Sequence, residues 1–168
     1  MTLTLITGGA RSGKSRRAEA LVRALPGQPI YIATAQTLDA EMAARVAAHR
    51  AQRGPGWITH EEPRDLARVL RATDGRGPRL VDCLTLWLSN TMLDGADWMA
   101  DARVLVDVLR AQVAPVVVVS NEVGMGIVPD NALARDFRDA AGWLNQLIAD
   151  AATRVEFVVA GLPLTVKG

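Results

Sequence analysis

Three short stretches of this chain combine residue types and spacings that can do chemistry. The first is Gly8-Gly9-Ala10-Arg11-Ser12-Gly13-Lys14-Ser15, a complete G-x-x-x-x-G-K-[ST] string directly after the apolar run Leu3-Thr4-Leu5-Ile6. Glycines let several backbone N–H groups converge on a polyphosphate, and the positive end of the following helix adds to the attraction. Lys14 is then the cation that reaches the β- and γ-phosphates, and the Ser15 hydroxyl is a ligand for Mg²⁺. The competing reading is a Gly-rich turn that caps an ordinary helix. For Arg11, a phosphate contact and a solvated loop position fit equally.

The second stretch is helical. Leu38, Met42, Val46 and His49 follow at steps of 4, 4 and 3 residues and share one face, which ends at His49 among Arg45, Arg50 and Arg53. Arginines hold phosphates by paired hydrogen bonds, and a neutral imidazole beside them can attack phosphorus. A surface histidine among solvated arginines is the plainer alternative. The third stretch, Arg79-Leu80-Val81-Asp82, is an apolar strand ending in an acid, a pattern that supports Mg²⁺ directly or through water in phosphate-loop proteins. A strand-end carboxylate that only caps the next helix would look the same.

Elements that could carry these groups follow from periodicity. Near-continuous apolar runs at 2–7, 29–34, 78–82, 116–121 and 155–160 read as strands covered on both faces. Helical patterns occupy 14–25, 39–53, 64–72, 84–92, 98–111 and 131–152, and 164–167 is a candidate edge strand. The expected fold is α/β: one domain over 1–168, phosphate-loop NTPase-like and RecA-like, with a mostly parallel central sheet flanked by helices. Ligands in such sheets bind beyond the carboxyl ends of the strands. That rule groups Thr7 to Ser15, Thr34 to Gln36, Asp82 to Thr85, Asn121 to Gly126 and Gly161 to Leu164 as one candidate region.

With 168 residues and a formal charge of +1, the chain suits one core and gives no general attraction to nucleic acid or an anionic membrane. No apolar run approaches the roughly 20 residues of a membrane span, and no basic-then-apolar leader is expected before the first strand. The single cysteine, Cys83, lies in an apolar run and reads as a buried, inert thiol, consistent with a reducing cytoplasm. Four of the seven aromatics are tryptophans (Trp57, Trp87, Trp98, Trp143), expected mainly in core packing.

Longer strings carry a resemblance. Thr7 to Arg16, Tyr31-Ile32-Ala33-Thr34-Ala35, Asp39-x-Glu41-Met42-x-x-Arg45, His49-Arg50, Trp57-x-Thr59-x-Glu61-Glu62-Pro63, Asp82 to Asn90 and Asn121 to Pro129 together resemble the bifunctional adenosylcobinamide kinase/adenosylcobinamide-phosphate guanylyltransferase family of cobalamin biosynthesis. The likeness runs essentially the whole chain, to Gly161-Leu162-Pro163. It implies two reactions: phosphorylation of the adenosylcobinamide hydroxyl by ATP or GTP, then transfer of GMP from GTP to that phosphate with release of pyrophosphate. It also implies that His49 carries GMP covalently. Gly8, Gly9, Ala10, Arg11, Ser12, Gly13, Lys14 and Ser15 would hold phosphates; Ala33, Thr34, Ala35, Arg50, Ala51, Gln52, Arg53 and Glu61 would line the guanylate site; and Asp82 would support the metal or the nucleotide. The Asn121 to Pro129 loop would shape the corrinoid side. Some relatives carry two adjacent histidines where this chain has Ala48-His49, which leaves His49 as nucleophile and His60 a poorer candidate. Homotrimers are implied as well. The alternatives are a phosphate-loop kinase in which His49 only helps clamp phosphate, a nucleotide-driven switch or binding module, and a RecA-like motor subunit; the switch would call for an Asn-Lys-x-Asp motif, but Asn121 is followed by Glu122 and Val123.

Overall fold

The computed structural model describes residues 2–37 and 39–168, and of Arg45 the backbone alone. Strands β1 (Leu3–Gly8), β2 (Ile30–Ala33), β3 (Ile58–Glu61), β4 (Arg79–Asp82), β5 (Val116–Asn121), β6 (Arg154–Val159) and β7 (Leu162–Lys167) alternate with helices α1 (Lys14–Arg23), α2 (Ala40–Arg53), α3 (Leu66–Thr73), α4 (Leu84–Leu93), α5 (Trp98–Ala111) and α6 (Ala132–Ala151). They form one seven-stranded sheet of order β3-β2-β4-β5-β1-β6-β7. All neighbours are parallel except β6 and β7, which form an antiparallel hairpin.

Strands buried on both sides explain the unbroken apolar runs. Ile6, Tyr31, Leu80, Val117, Val119 and Val158 face Ala18 and Val22 of α1. Leu3, Leu5, Ile32, Val81, Val116 and Val118 face the other way, onto α3, α4, α5 and α6. The chain moves from β1 to β2 and from β2 to β3 in one direction across the sheet, then from β3 to β4, from β4 to β5 and from β5 to β6 in the other. Right-handed crossovers therefore put α1 and α2 on the same face, both running antiparallel to the strands.

The expected helices are all present with ends shifted by a few residues, as helix termini generally allow. β3 is an addition: Ile58-Thr59-His60-Glu61 has one aliphatic residue and sits at the edge, where a strand needs no continuous apolar run. β7 begins at Leu162, earlier than the apolar pattern indicates. Trp87 is a core residue, but Trp143 is 58% exposed and departs from the expected core role. Leu38, at the head of the predicted His49 face, lies outside the described residues.

Polar anchors hold the sheet from beneath. Arg79 is fully buried at the start of β4, ion-paired with Asp74 at 3.1 Å and donating to the Ala114 carbonyl. Glu156 is fully buried in β6, where Arg17 grips it through two hydrogen bonds of 2.8 Å and Arg154 through one of 2.9 Å. Hydrogen bonding from Arg17, with help from Arg154, holds the Glu156 carboxyl below the ordinary glutamate range despite its burial. A depressed folded pKa means that this pair stabilises the fold above the unfolded glutamate value, and that the contribution is lost as pH falls through the folded value. Arg17→Ala leaves a buried carboxylate with one partner and should cost about 3 kcal/mol at pH 7. Urea unfolding checks this, and the difference between the proteins should shrink on acidification below about pH 4.

Candidate active site

The parallel strands end on one side of the sheet, and the predicted region gathers there. Gly8 closes β1; an added Cβ would meet the Val158 carbonyl oxygen at 2.4 Å and Ser12 Oγ at 2.7 Å, so only glycine fits. Gly13 sits at φ 97° with no side chain capping α1, which leaves the first helical N–H groups aimed at the loop's interior. The Lys14 ammonium folds back over the loop to the Gly9 carbonyl at 3.0 Å. Burial pushes its pKa below the ordinary lysine value, partly offset by Cys83 and Asp82. Arg11 and Ala10 are exposed, and the Ser12 hydroxyl is buried without a hydrogen-bond partner among the described residues. The turn between β6 and β7 braces this loop from the side, because the Gly161 N–H donates to the Ser12 carbonyl at 2.9 Å.

Asp82 ends β4, separated from β1 by β5, and accepts the Tyr31 hydroxyl at 3.1 Å. Thr34 is fully buried; its hydroxyl donates to the Cys83 carbonyl at 2.7 Å and accepts from the Cys83 N–H at 2.8 Å. Its side chain therefore shapes the site from below, held by Cys83 of the neighbouring strand end. Asn90 donates to the Thr34 and Pro63 carbonyls, tying α4 to the ends of β2 and β3. Cys83 is buried with its thiol pushed up to about 11, mainly by desolvation, in keeping with an inert thiol.

The arginines near His49 separate. Arg50 pairs at 3.2 Å with Glu61, both exposed. Arg53 is 7% exposed, with its guanidinium 3.6 Å from the Tyr31 ring centroid and a hydrogen bond to Thr59. It thus packs the floor of the site and is no solvated phosphate clamp. The Arg53 backbone carbonyl takes a 2.6 Å hydrogen bond from Arg23 of α1. His49, Ala51 and Gln52 are exposed, and Ala33 and Ala35 half-buried. His60 is half-buried on the edge strand β3.

Spacing does not single out Tyr31, because its role depends on the neighbour strand bringing Asp82 within reach. Burial, then Asp82, raise its phenol above the usual range, so it stays a donor. Tyr31→Phe keeps the ring under Arg53 and frees Asp82. It should weaken Mg²⁺-dependent nucleotide affinity about fivefold, roughly 1 kcal/mol, with little change in Tm. A fluorescent GTP analogue titrated with and without Mg²⁺ measures this.

A family model described as cobinamide kinase / cobinamide phosphate guanyltransferase matches residues 4–166. The chain belongs to that family. Among its relatives, the bifunctional adenosylcobalamin biosynthesis protein CobP of Pseudomonas aeruginosa is 48% identical over 167 residues, covering 98% of this chain and 96% of the relative. The bifunctional adenosylcobalamin biosynthesis protein CobU of Salmonella typhimurium is 44% identical over 181 residues, covering 98% and 99%. A solved structure from Pyrococcus horikoshii OT3 shares the fold alone, with TM-score 0.56 and 10% identity over 99% of this chain and 86% of that one. Membership in the cobinamide kinase / cobinamide phosphate guanyltransferase family bears out the family reading of the motifs, and the α/β sheet bears out the expected fold class. No described helix is long and apolar enough to cross a membrane.

Proposed function

We propose that this chain phosphorylates the aminopropanol hydroxyl of adenosylcobinamide with ATP or GTP. It then transfers GMP from GTP to the product through a guanylylated His49, giving adenosyl-GDP-cobinamide and pyrophosphate. The observation that carries the reading is the pairing of a built phosphate loop with a helix that presents an exposed histidine on the same face of the sheet.

In the first reaction the substrate oxygen attacks the γ-phosphorus while the nucleoside diphosphate leaves. The N-terminal N–H groups of α1 and the Lys14 ammonium stabilise charge on the transferring phosphoryl oxygens. In the second, an imidazole nitrogen of His49 attacks the α-phosphorus and pyrophosphate leaves. The cobinamide phosphate oxygen then displaces the imidazole, which splits one difficult displacement into two easier ones. Ser15 and Asp82 supply a hydroxyl and a carboxylate, hard oxygen donors that suit Mg²⁺, an ion that takes few protein ligands and completes its shell with phosphates and water. When bound it would neutralise phosphate charge. Glu61 has the acceptors to bind guanine N1–H and the exocyclic amine, provided that Arg50 releases one carboxylate oxygen.

The loop after β5 suits the corrinoid. It is joined to the phosphate loop by a 2.9 Å hydrogen bond from the Glu122 N–H to the Gly8 carbonyl, and it exposes Val123, Met125, Ile127 and Val128. A homotrimer in the cytoplasm fits a subunit whose edge strand β7 leaves Leu162, Leu164 and Val166 uncovered.

The test uses GTP labelled at the α-phosphate with Mg²⁺, followed by denaturation. Label that stays with the protein, survives base and is lost in acid supports a guanylylated histidine. A protein that phosphorylates cobinamide but takes no label is a plain kinase.

A further inference from the structure

The strand β5 stands between β1, which leads into the phosphate loop, and β4, which ends in Asp82. Phosphates held by Lys14 and Ser15 on one side and supported from Asp82 on the other therefore cross the end of β5. Register fixes the level of that end. Asp82 pairs with Val119 and Gly8 with Asn121, so β5 runs two residues, about 7 Å, past the last residue of β4. Asn121 is the residue reached. Side chains alternate along a strand, and Leu80, Val117 and Val119 face α1, which puts Asp82 and Asn121 on that same face. The bond between Asp82 and Tyr31, another residue of the α1 face, agrees with this. α1, which begins with Lys14 and Ser15, packs over β4 and β5.

The backbone around Asn121 is held by three elements. Its N–H donates to Thr85 Oγ1 of α4 at 2.7 Å, and its carbonyl accepts from Asn145 of α6 at 3.3 Å. The next N–H, of Glu122, donates to the Gly8 carbonyl of β1 at 2.9 Å. Asn121 is half-buried, and among the described residues its carboxamide makes no hydrogen bond. A polar group fixed in place and left unpaired beside a phosphate loop has the character of a pre-organised donor.

We propose that Asn121 is a catalytic residue of phosphoryl transfer: its Nδ2–H donates to an oxygen of the γ-phosphoryl group as that group passes from the nucleotide to the acceptor hydroxyl. The proposal rests on the kinase reading. The acceptor oxygen bonds to the γ-phosphorus, and the bond from that phosphorus to the bridging oxygen breaks, its electron pair leaving with the nucleoside diphosphate. The hydroxyl proton moves to an oxygen of the transferred group. Charge on that group is met by Lys14 and the first N–H groups of α1 from the loop, and by Asn121 from the end of β5. The loop that suits the corrinoid begins at the next residue, which brings the acceptor to the same place. Guanylyl transfer changes bonding at the α-phosphorus and draws less on Asn121.

The experiment measures γ-phosphate transfer to cobinamide by wild type, Asn121→Ala and Asn121→Asp, the last of which keeps the shape and loses the donor. At saturating nucleotide and cobinamide the rate should fall about 100-fold in both variants, the lower end of what loss of one such donor costs. The nucleotide and cobinamide concentrations for half-maximal rate should stay within about threefold, as for an interaction made only in the transition state. Uptake of α-label from GTP should fall by less than about threefold, whereas a merely structural role would lower both reactions together. GDP with aluminium fluoride, which imitates the transferring phosphoryl group, should bind wild type at least about 10-fold tighter than Asn121→Ala, with GDP alone bound nearly equally.

Phosphorylation at the wild-type rate in Asn121→Ala, equal loss of both reactions, or a loss confined to the cobinamide concentration required overturns the proposal. Should Asn121→Ala fail to fold, a wild-type rate in Asn121→Asp overturns it equally. A wild type that phosphorylates no cobinamide from ATP or GTP contradicts the kinase reading itself, whereas equal rates in wild type and variants contradict only the role of Asn121.

Discussion

His49→Ala should take no acid-labile label from α-labelled GTP, while phosphorylation of cobinamide continues. A covalent intermediate is all or none with respect to its nucleophile, so this is the largest effect expected in the protein. His60, on an edge strand, offers no substitute. The variant should fold, because His49 is exposed. Two assays on one preparation decide the matter: acid-labile label, and transfer of γ-phosphate to cobinamide. Equal loss of both, with an unchanged melting curve, would refute the division of labour between His49 and the phosphate loop.

Lys14→Ala should lower both reactions, by about 100- to 1,000-fold, the range that removal of one pre-organised charge-stabilising group costs elsewhere. The two reactions share this group if both nucleotides lay their phosphates along the same loop, whereas His49 serves one. Stability should move the other way. Lys14 is 8% exposed and its pKa is lowered chiefly by burial, so the folded state disfavours its charged form. For a depressed lysine the sign is a cost: it is present in full below the folded pKa and fades as pH rises through that value. Lys14→Met keeps the apolar stem and removes the buried charge, and it should melt above wild type at pH 7. Thermal unfolding across pH 6 to 10 would show the gap narrowing toward the alkaline end. A Lys14→Met protein that melts lower would mean that the bond to the Gly9 carbonyl outweighs the desolvation cost.

What could be read from the residues depended on where the information lay. β5 announces itself because Val116-Val117-Val118-Val119 is buried on both faces, and the start of α1 because Gly13-Lys14-Ser15 has a local geometric role. β3 lacked such a signal; its pairing to Ile30 through Ala33 comes from the neighbouring strand. The arginines around His49 show the limit most clearly. Spacing put Arg50 and Arg53 together, yet tertiary neighbours divide them, one to Glu61 at the rim and one over the Tyr31 ring in the floor. Met42 and Val46 of the predicted stripe are half-buried, so the apolar face of α2 is only partly covered by this chain. The contact of Tyr31 with Asp82 was not legible because it depends on a partner on another strand, which no periodicity encodes.

The phosphate loop lies early in the sequence but not early in assembly. Its strand β1 pairs only with β5 and β6, and the loop itself is braced by Gly161. During synthesis a ribosome must therefore release residues up to about 161 before the nucleotide cradle can close, although its own glycines emerged first. Until then β1 is an apolar segment without neighbours, exposed to chaperones and to other nascent chains. A nucleotide that bound only the closed cradle would act on the last step of that assembly and draw the newly made chain forward.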